Sequence, residues 1–215
     1  VAEAGVKIVA IPKTIDNDVE GTDLSIGFHT AVNIATEALD RVHTTAESHN
    51  RVMVVEVMGR HAGWIAVNAG IAGGAEVVLA PEQPFDIDQV VKFLRHRHRA
   101  HANFSIVVVA EGAVPREGSS MEFTQQLGRF GEIVAGSIGE RVSAEIAERT
   151  GFDTRLTVLG HVQRGGEPTP TDRILGSRFG VAAEDAVSAG TSGVMTALRG
   201  ERVELVPHAE VAGRP

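Results

Sequence analysis

Four apolar runs, each followed at once by a polar loop, constrain the fold of this chain more than any other feature. The runs are rich in β-branched residues, and segments with helical periodicity separate them, which is typical of a mostly parallel sheet with buried strands. In an open parallel sheet, ligands bind beyond the carboxyl ends of the strands. We therefore predict an α/β fold in which the polar loops form one site. The runs cover residues 6–11, 52–57, 106–110 and 156–159, and the loops cover 12–18, 58–64, 111–112 and 160–166.

Helices are predicted between these strands. Apolar residues recur at alternating four- and three-residue spacings from Phe28 to Val42, which places them on one helical face. The polar, glycine-rich residues 114–131 are predicted to form a surface loop. The chain begins with Val1 on what resembles a helix before a strand, so we expect a fragment of a longer protein. The predicted helices cover about 24–48, 61–72, 86–99, 133–150 and 172–189, and a further strand covers 76–80.

The composition excludes several classes of function. With 215 residues and 43% hydrophobic content, the chain is long and apolar enough to form a globular core. A net charge of −8 argues against nucleic acid or an anionic membrane as the main partner, because both require a basic face. The absence of cysteine excludes disulfides and thiol catalysis, and a cytoplasmic location is the default expectation.

The first polar loop, residues 12–18, contains two carboxylates and a threonine. Asp16 is our first choice for a catalytic base. Alternatively, Asp16, Asn17 and Asp18 could hydrogen-bond their own backbone in a turn, as Asx residues commonly do. The recurrence of polar loops after four strands favours a site, because carboxylates, guanidinium groups and imidazole could then converge on one anionic ligand. The histidines of the basic run 95–101 do not share a helical face at metal-binding spacing, so we assign no metal ligand in this chain.

Together, the loops resemble a known family. The chain contains PKTIDND, VVEVMGRHAGW, AEG and LGHVQRGG, in this order. This combination resembles the 6-phosphofructokinases, particularly those of actinobacterial type, over essentially the whole chain, and several ordered motifs are far more specific than one. The resemblance implies a phosphofructokinase-like α/β fold, with mostly parallel sheets and helices on both faces. It also implies that residues 1–27 end a donor-binding domain, 28–162 form a fructose 6-phosphate-binding domain, and 163–215 return to the donor-binding domain.

The resemblance implies an activity, namely transfer of a phosphoryl group to the 1-hydroxyl of fructose 6-phosphate, which gives fructose 1,6-bisphosphate in glycolysis. By motif, Asp16 resembles the proton acceptor, because a sugar hydroxyl is a poor nucleophile near neutral pH. Thr14 is expected to contact the substrate, and Asp18 to support proton transfer and the metal environment. Arg60 is expected to stabilise charge on the transferring group.

Further residues are implied to bind the sugar and its 6-phosphate. Met58 and Gly59 are expected to shape the pocket, and Glu111 to accept hydrogen bonds from sugar hydroxyls. Guanidinium groups present a planar fork that suits phosphate oxygens. In this family, two of the arginines reach across from a neighbouring subunit, so we expect a homo-oligomer, a dimer or tetramer, with shared active sites. The implied phosphate-binding residues are Arg51, Arg155, His161 and Arg164, of which Arg51 and Arg155 are the two shared.

Several of these residues also have a purely structural interpretation. Gly59 could simply make the turn between a strand and a helix. Glu111 could be a buried acid paired with a nearby arginine. Arg51 and Arg155 could form surface salt bridges, which usually contribute little, and His161 could be structural.

The phosphoryl donor is left open by the sequence. This family binds its nucleotide and Mg²⁺ largely through glycine-rich loops that lie N-terminal to the part seen here. Lys13 stands where many ATP-dependent members have glycine and where pyrophosphate-dependent members typically have lysine, although some actinobacterial ATP-dependent members also carry the lysine. We favour ATP as the donor, with pyrophosphate as the alternative and Mg²⁺ as cofactor.

Regulation and completeness are also open. His43, Ala100 and Ala102 stand where allosterically regulated members carry an arginine and lysines, so anionic effectors would lose much of their attraction there. A non-catalytic sugar-phosphate-binding subunit or fragment is a second hypothesis, although such a subunit need not keep Asp16, Thr14 and Arg60. Another α/β sugar-phosphate enzyme, such as an isomerase, is a weaker alternative, because the loops contain no obvious second acid/base pair.

Overall fold

The computed structural model describes residues 5–121, 126–127, 133–135 and 137–211. They divide into two compact units. Unit 1 contains the described residues of Val1–Ala31 and Gly166–Pro215, and unit 2 contains those of Val32–Gly165. The donor-binding and substrate-binding roles assigned to the predicted domains stay predictions. The helix predicted ahead of the first strand lies outside the described residues.

Eleven strands and six α-helices follow one another in the described part of the chain. In chain order they are β1 (Val9–Ala10), β2 (Lys13–Thr14), β3 (Ile26–Gly27), α1 (Phe28–His49), β4 (Val52–Val57), α2 (Trp64–Ala72), β5 (Val77–Leu79), α3 (Ile87–Arg99), β6 (Ser105–Ala110), β7 (Gln126–Leu127), β8 (Ile133–Ala135), α4 (Ile138–Thr150), β9 (Thr154–Val158), α5 (Pro170–Ser188), β10 (Val194–Arg199), β11 (Arg202–Pro207) and α6 (His208–Val211). A 3-10 helix, Gly160–Arg164, follows β9. None of the helices in the described part of the chain is long and apolar enough to cross a membrane.

Unit 2 is built on a four-stranded sheet with the order β5-β6-β4-β9. All three strand pairings are parallel. Every residue of β4 and of β6 is buried. Continuous apolar strands of this kind form where helices cover both faces of a parallel sheet.

Helices do cover both faces of this sheet. Val107 and Val109 of β6 belong to a core cluster with residues of α3 and α4. Val108 points to the other face, because side chains alternate along a strand. On that face, a Cβ added to Gly70 of α2 would lie 3.7 Å from the Cβ of Val108, so the helix packs closely there. The predicted α/β class, with mostly parallel sheets and helices on both faces, is confirmed.

The region before α4 differs from the sequence prediction. A helix was expected from residue 133, but β8 occupies Ile133–Ala135 and pairs antiparallel with β7. β7 also interrupts the loop predicted over 114–131, part of which lies outside the described residues. The helix begins only at Ile138, because the side chain of Ser137 caps it and accepts a hydrogen bond from the Glu140 N–H at 3.1 Å.

The starts of α1 and α5 also differ from their predictions. α1 was expected from about residue 24, but residues 26–27 form β3, so the helix begins at Phe28. α5 begins at Pro170, two residues earlier than expected. Thr169 caps it, and proline suits the first helical position because its missing N–H would have no partner there.

Unit 1 contains a three-stranded sheet with the order β1-β10-β11. β1 pairs parallel with β10, and β10 pairs antiparallel with β11 in a hairpin that the sequence reading did not predict. The predicted strand over 6–11 is reduced to Val9–Ala10, and Lys13–Thr14 forms a separate strand. β2 pairs parallel with β3, so the polar segment after the first apolar run is partly extended rather than a simple turn.

Candidate active site

Three segments meet at the carboxyl edge of the unit 2 sheet, where β4, β6 and β9 end side by side. The Glu111 N–H, just beyond β6, donates to the Val57 carbonyl at 2.9 Å. The Gly112 N–H donates to the Gly59 carbonyl at 3.1 Å. On the other side of β4, the Leu159 N–H donates to the Glu56 carbonyl at 3.0 Å. Backbone hydrogen bonds therefore fix the segments that carry Met58 to Arg60, Glu111 and residues 160–164 next to one another.

Two glycines allow this close approach. Gly59 has φ of 136°, a left-handed conformation that favours glycine, and an added Cβ would lie 2.7 Å from the Ala62 carbonyl oxygen. A Cβ on Gly112 would lie 1.9 Å from the Arg60 carbonyl oxygen. The two loops can therefore lie against each other only while residue 112 has no side chain. The structural interpretation of Gly59 as a turn residue and its predicted place beside the substrate are compatible.

The cationic side chains at this edge are open to solvent. His161 and Arg164 are exposed, and Arg60 is partly exposed. Within the described part of the chain, none of these three side chains has an ion pair or a hydrogen bond. Glu111, on the neighbouring segment, is partly buried. Loops that carry two guanidinium groups, an imidazole and a carboxylate at adjacent strand ends suit a ligand that combines a phosphate with hydroxyls.

A buried amide, which the sequence reading missed, connects two of the segments. Gln163 lies on the 3-10 helix between His161 and Arg164, and its Oε1 accepts a hydrogen bond from the Met58 N–H at 2.8 Å. Its side chain is only 1% exposed. The motif contains a glutamine between two candidate phosphate ligands, but nothing in the sequence shows that its side chain points into the core.

The loop of residues 12–18, which carries the predicted base, is in unit 1. Its Asp16 is partly buried, whereas Lys13 and Asp18 are exposed. The Thr14 hydroxyl accepts a hydrogen bond from the Asp16 N–H at 3.2 Å. Thr14 itself is held by β3, since it pairs with Gly27 and its carbonyl accepts the Ser25 hydroxyl at 2.8 Å.

Asn17 fixes the conformation of this loop. It has φ of 55°, in the left-handed region that asparagine tolerates better than most residues. Its Oδ1 accepts the Ser25 N–H at 2.8 Å, and its Nδ2 donates to the Asp23 carbonyl at 3.1 Å. Asn17 therefore bonds a segment six to eight residues further on rather than its own turn, and in doing so holds the backbone that carries the carboxylates.

A buried carboxylate, also missed from sequence, anchors the other side of β3. Asp172, in the first turn of α5, is 2% exposed. It accepts the Gly27 N–H at 3.0 Å, the Thr30 N–H at 2.8 Å and the Thr30 hydroxyl. Because Gly27 pairs with Thr14, Asp172 supports the strand beside the candidate catalytic loop.

The last two predicted phosphate ligands lie at the opposite, amino edge of the unit 2 sheet. Arg51 directly precedes β4, and Arg155 is the second residue of β9. Both contact one carboxylate: Asp153 accepts from Arg51 Nε at 2.6 Å and lies 2.9 Å from Arg155 Nη1. At about 3.3 Å per residue, the strand separates Arg51 from Met58 by about 23 Å. Arg155 pairs with Met53, which lies about 17 Å from Met58 along β4, so one chain does not bring either arginine to the carboxyl edge.

This arrangement perturbs the carboxylate. The hydrogen bond from Arg51 holds the pKa of Asp153 below its ordinary value, and the charges of Arg155, Arg51 and His49 act in the same direction. The salt-bridge interpretation of Arg51 and Arg155 is thus correct for the isolated chain. It leaves open a second role, because two guanidinium groups around one carboxylate keep a net positive charge.

Two further predictions concern the effector and metal sites. His43 lies in unit 2 with its ring 4.9 Å from the Phe104 ring, and Ala100 ends α3; the loss of effector binding stays a prediction. Among the described side chains, no group of three or more His, Cys, Asp or Glu could hold a metal ion. Mg²⁺ at phosphoryl-transfer sites usually needs only one or two carboxylates plus the donor phosphates. The carboxylate of Asp18 is exposed and could support such an environment.

Comparison with known proteins identifies relatives of the whole chain. The model of the family described as PFK, Phosphofructokinase, matches residues 1–187. The chain is 50% identical to the ATP-dependent 6-phosphofructokinase of Corynebacterium efficiens, over 99% of this chain and 61% of the relative. It is 55% identical to the pyrophosphate–fructose 6-phosphate 1-phosphotransferase of Streptomyces coelicolor, over 99% of this chain and 62% of the relative. The chain thus spans about three fifths of the length of these curated relatives.

Solved structures give the same result. The structure of phosphofructokinase from Saccharomyces cerevisiae superposes with a TM-score of 0.81 at 34% identity, and covers 95% of this chain and 26% of that one. A pyrophosphate-dependent phosphofructokinase from Marinobacter aquaeolei superposes with a TM-score of 0.78 at 27% identity, and covers 99% of this chain and 55% of that one.

Proposed function

The chain belongs to the phosphofructokinase family, and we propose that the complete protein transfers a phosphoryl group to the 1-hydroxyl of fructose 6-phosphate. The family predicted from the four motifs is confirmed by the match over residues 1–187. The product of the proposed reaction is fructose 1,6-bisphosphate.

One observation carries the proposal: three loops with substrate-binding chemistry are bonded together at the carboxyl edge of one parallel sheet. Arg164 and His161 provide cationic groups for the 6-phosphate, and Glu111 provides an acceptor for sugar hydroxyls. Backbone bonds at 2.9–3.1 Å hold the loops that carry them. A preorganised cluster of this kind binds a small anionic sugar without first having to order its own loops.

The chemical step needs a base and a group that stabilises charge. We assign the base to Asp16, whose carboxylate would accept the proton of the 1-hydroxyl as the new P–O bond forms. Thr14 fixes the backbone of Asp16 and contacts the substrate. Arg60 would stabilise the negative charge on the transferring group, because electrostatic stabilisation and positioning account for most of catalysis in phosphoryl transfer.

ATP is the proposed donor, and pyrophosphate is the alternative. Similar proteins of both types share 50–55% identity with this chain, so overall similarity does not discriminate between the donors. Lys13 is exposed on β2 and could contact pyrophosphate directly. In an ATP enzyme, a partner elsewhere in the complete protein would hold it aside. Asp18 would support the environment of Mg²⁺, which when bound neutralises charge on the donor phosphates.

A homo-oligomer with shared sites completes the proposal. Arg51 and Arg155 lie at the amino edge of the unit 2 sheet, beyond reach of the carboxyl edge of the same chain. In a dimer or tetramer, they could reach the phosphate bound to a neighbouring subunit. A non-catalytic sugar-phosphate-binding subunit remains the second candidate, since each substrate contact proposed in unit 2 would serve binding without turnover.

The donor is tested by assaying the complete protein with fructose 6-phosphate and either Mg-ATP or Mg-pyrophosphate. We expect fructose 1,6-bisphosphate with a higher kcat/KM for ATP. A higher kcat/KM with pyrophosphate would reverse the donor assignment. If neither donor gives product while fructose 6-phosphate still binds, the non-catalytic alternative is correct.

The base is tested separately with Asp16→Ala. Loss of a general base should lower kcat by about 10²–10⁴ with a much smaller change in KM. Asp40→Ala, which removes an exposed carboxylate from α1, is the matched control and should leave kcat unchanged. An Asp16→Ala enzyme within threefold of the parent kcat would disprove the assignment.

A further inference from the structure

Gln163 differs from its neighbours on the 3-10 helix in the direction of its side chain. His161 and Arg164 are exposed, whereas Gln163 is 1% exposed. Its Oε1 accepts the Met58 N–H at 2.8 Å. A single residue of the phosphate-binding segment therefore reaches back into the protein and bonds the segment expected to bind the sugar.

The orientation of this amide is fixed by chemistry. The Met58 N–H is a donor, so reversing the amide would place two donors against each other and leave the Met58 N–H without an acceptor. In the orientation observed, Gln163 Nε2 is buried and has no hydrogen-bond partner among the described residues. A buried donor without an acceptor is destabilising. An apolar side chain of similar size would avoid that loss but would leave the buried Met58 N–H without its acceptor, so what the glutamine contributes here is the bond to Met58.

The position of the bond suggests what it does. Pairing between β4 and β9 ends with the Leu159 N–H donating to the Glu56 carbonyl at 3.0 Å. Beyond that point the two chains separate into the loop of residues 58–60 and the 3-10 helix. Just beyond that point, the hydrogen bond from the Met58 N–H to Gln163 joins the two segments again, next to the residues proposed to bind the substrate.

We propose that Gln163 is a positioning residue, which holds the Met58 to Arg60 loop and the 3-10 helix in fixed register so that sugar and phosphate are bound as one substrate. The inference rests on the proposed function, because a fixed register matters only if the two segments bind the sugar and the phosphate of one substrate. Gln163 itself contacts no substrate, since its side chain is covered. It acts through Met58 and through the backbone that carries His161 and Arg164.

Two substitutions in the complete protein test the proposal. Gln163→Met keeps the volume but removes the acceptor, and Gln163→Glu keeps an acceptor oxygen. We expect Gln163→Met to lower kcat/KM for fructose 6-phosphate by about 10- to 100-fold, because small displacements of a site are costly. Gln163→Glu should recover at least threefold of that loss. A Gln163→Met enzyme within threefold of the parent would overturn the proposal, whereas rescue by Gln163→Glu supports it.

A double-mutant cycle separates positioning from a merely structural role. Arg164→Ala should lower kcat/KM in the parent by about tenfold or more, as expected for a charged contact to phosphate. In the Gln163→Met background, Arg164→Ala should lower kcat/KM by a factor at least three times smaller. A displaced Arg164 guanidinium already contributes less to phosphate binding, so its removal has less effect. Equal effects in the two backgrounds would show that Gln163 does not position Arg164.

The outcomes also separate this inference from the function on which it rests. No product from the parent protein with either donor overturns the function and the positioning role together. An active parent whose activity is insensitive to Gln163→Met overturns the positioning role alone. The melting temperature of each variant, measured first, ensures that the kinetics compare folded proteins.

Discussion

The two edges of the unit 2 sheet use the same type of side chain in opposite ways. At the carboxyl edge, Arg60 and Arg164 have no ion pair within the described part of the chain, and hydrogen bonds to backbone N–H groups hold their loops in place. At the amino edge, Arg51 and Arg155 are both bonded to Asp153. One edge therefore has fixed loops with open cations, and the other has cations that already share a carboxylate.

The surroundings of each arginine determine which ligand it can bind. An open guanidinium on a fixed loop can take a phosphate within its own subunit. A guanidinium pair held by one carboxylate is ordered in advance and faces outward, with 57% of the Arg155 side chain exposed. Such a pair is suited to an anion presented by another molecule. Asp153 neutralises only one of the two guanidinium charges, so one positive charge is available to the incoming anion.

The largest effect should come from a substitution that separates the loops of the carboxyl edge. Gly112→Ala places a Cβ 1.9 Å from the Arg60 carbonyl oxygen, so backbone must move. We expect kcat/KM for fructose 6-phosphate to fall by about 100-fold or more, measured by steady-state kinetics of the complete protein. Gly165→Ala is the control, because its added Cβ would meet only the Val162 carbonyl oxygen at 3.6 Å. Equal activities of the two variants would contradict the close packing of the loops.

Removing one cation from each edge should have an intermediate effect. Arg164→Ala and Arg155→Ala should each raise KM for fructose 6-phosphate by about 10- to 100-fold, with less change in kcat, because a phosphate remote from the reacting hydroxyl is bound in ground and transition states alike. Arg173→Ala, which removes an exposed ion pair with Glu167, should leave KM unchanged. If only Arg164→Ala raises KM, the amino edge takes no part in substrate binding.

The smallest effect should follow removal of the shared carboxylate. Arg51 and Arg155 hold the pKa of Asp153 below its ordinary value, so its contribution to stability is complete above the pKa of the unfolded chain, about 3.9, and is lost as the pH falls through the lower folded value. Asp153→Asn should lower Tm by no more than about 2 °C near pH 7, because exposed ion pairs contribute little.

Calorimetry as a function of pH checks that expectation. The difference in Tm between the parent and Asp153→Asn should be constant from about pH 6 to 8 and disappear as the pH falls below about 3.9. Asp40→Asn, at an exposed carboxylate on α1, is the control. A difference that grows on acidification would mean that the pKa of Asp153 is raised rather than lowered.

The sequence predicted the central strands of the unit 2 sheet, β4 and β6, better than the ends of the helices. The buried runs that became β4 and β6 are continuous and β-branched, so their burial on both faces was predictable. The start of α4 was missed although Ser137 and Glu140 form the spacing of a capping box. The β10–β11 hairpin was missed although Gly200 and Glu201 separate its strands by two residues.

The side chains that hold the candidate site could not have been predicted in the same way. Gln163 bonds a residue 105 positions away, and Asp172 bonds Gly27 across 145 positions. Such contacts depend on how the strands are ordered in the sheet, which local periodicity does not contain. Motifs found the groups that would touch a ligand, whereas the residues that hold those groups in place became visible only in the folded chain.

If the two edges of the unit 2 sheet serve different subunits of one oligomer, a mixture of two inactive or impaired subunits should form some complete sites. Asp16→Ala subunits keep both arginines, and Arg155→Ala subunits keep the base. Mixed oligomers, verified by native mass spectrometry and assayed at fructose 6-phosphate concentrations below the KM of Arg155→Ala, should be more active than the mean of the two separate variants. Activity no higher than that mean would show that Arg155 is not donated across an interface.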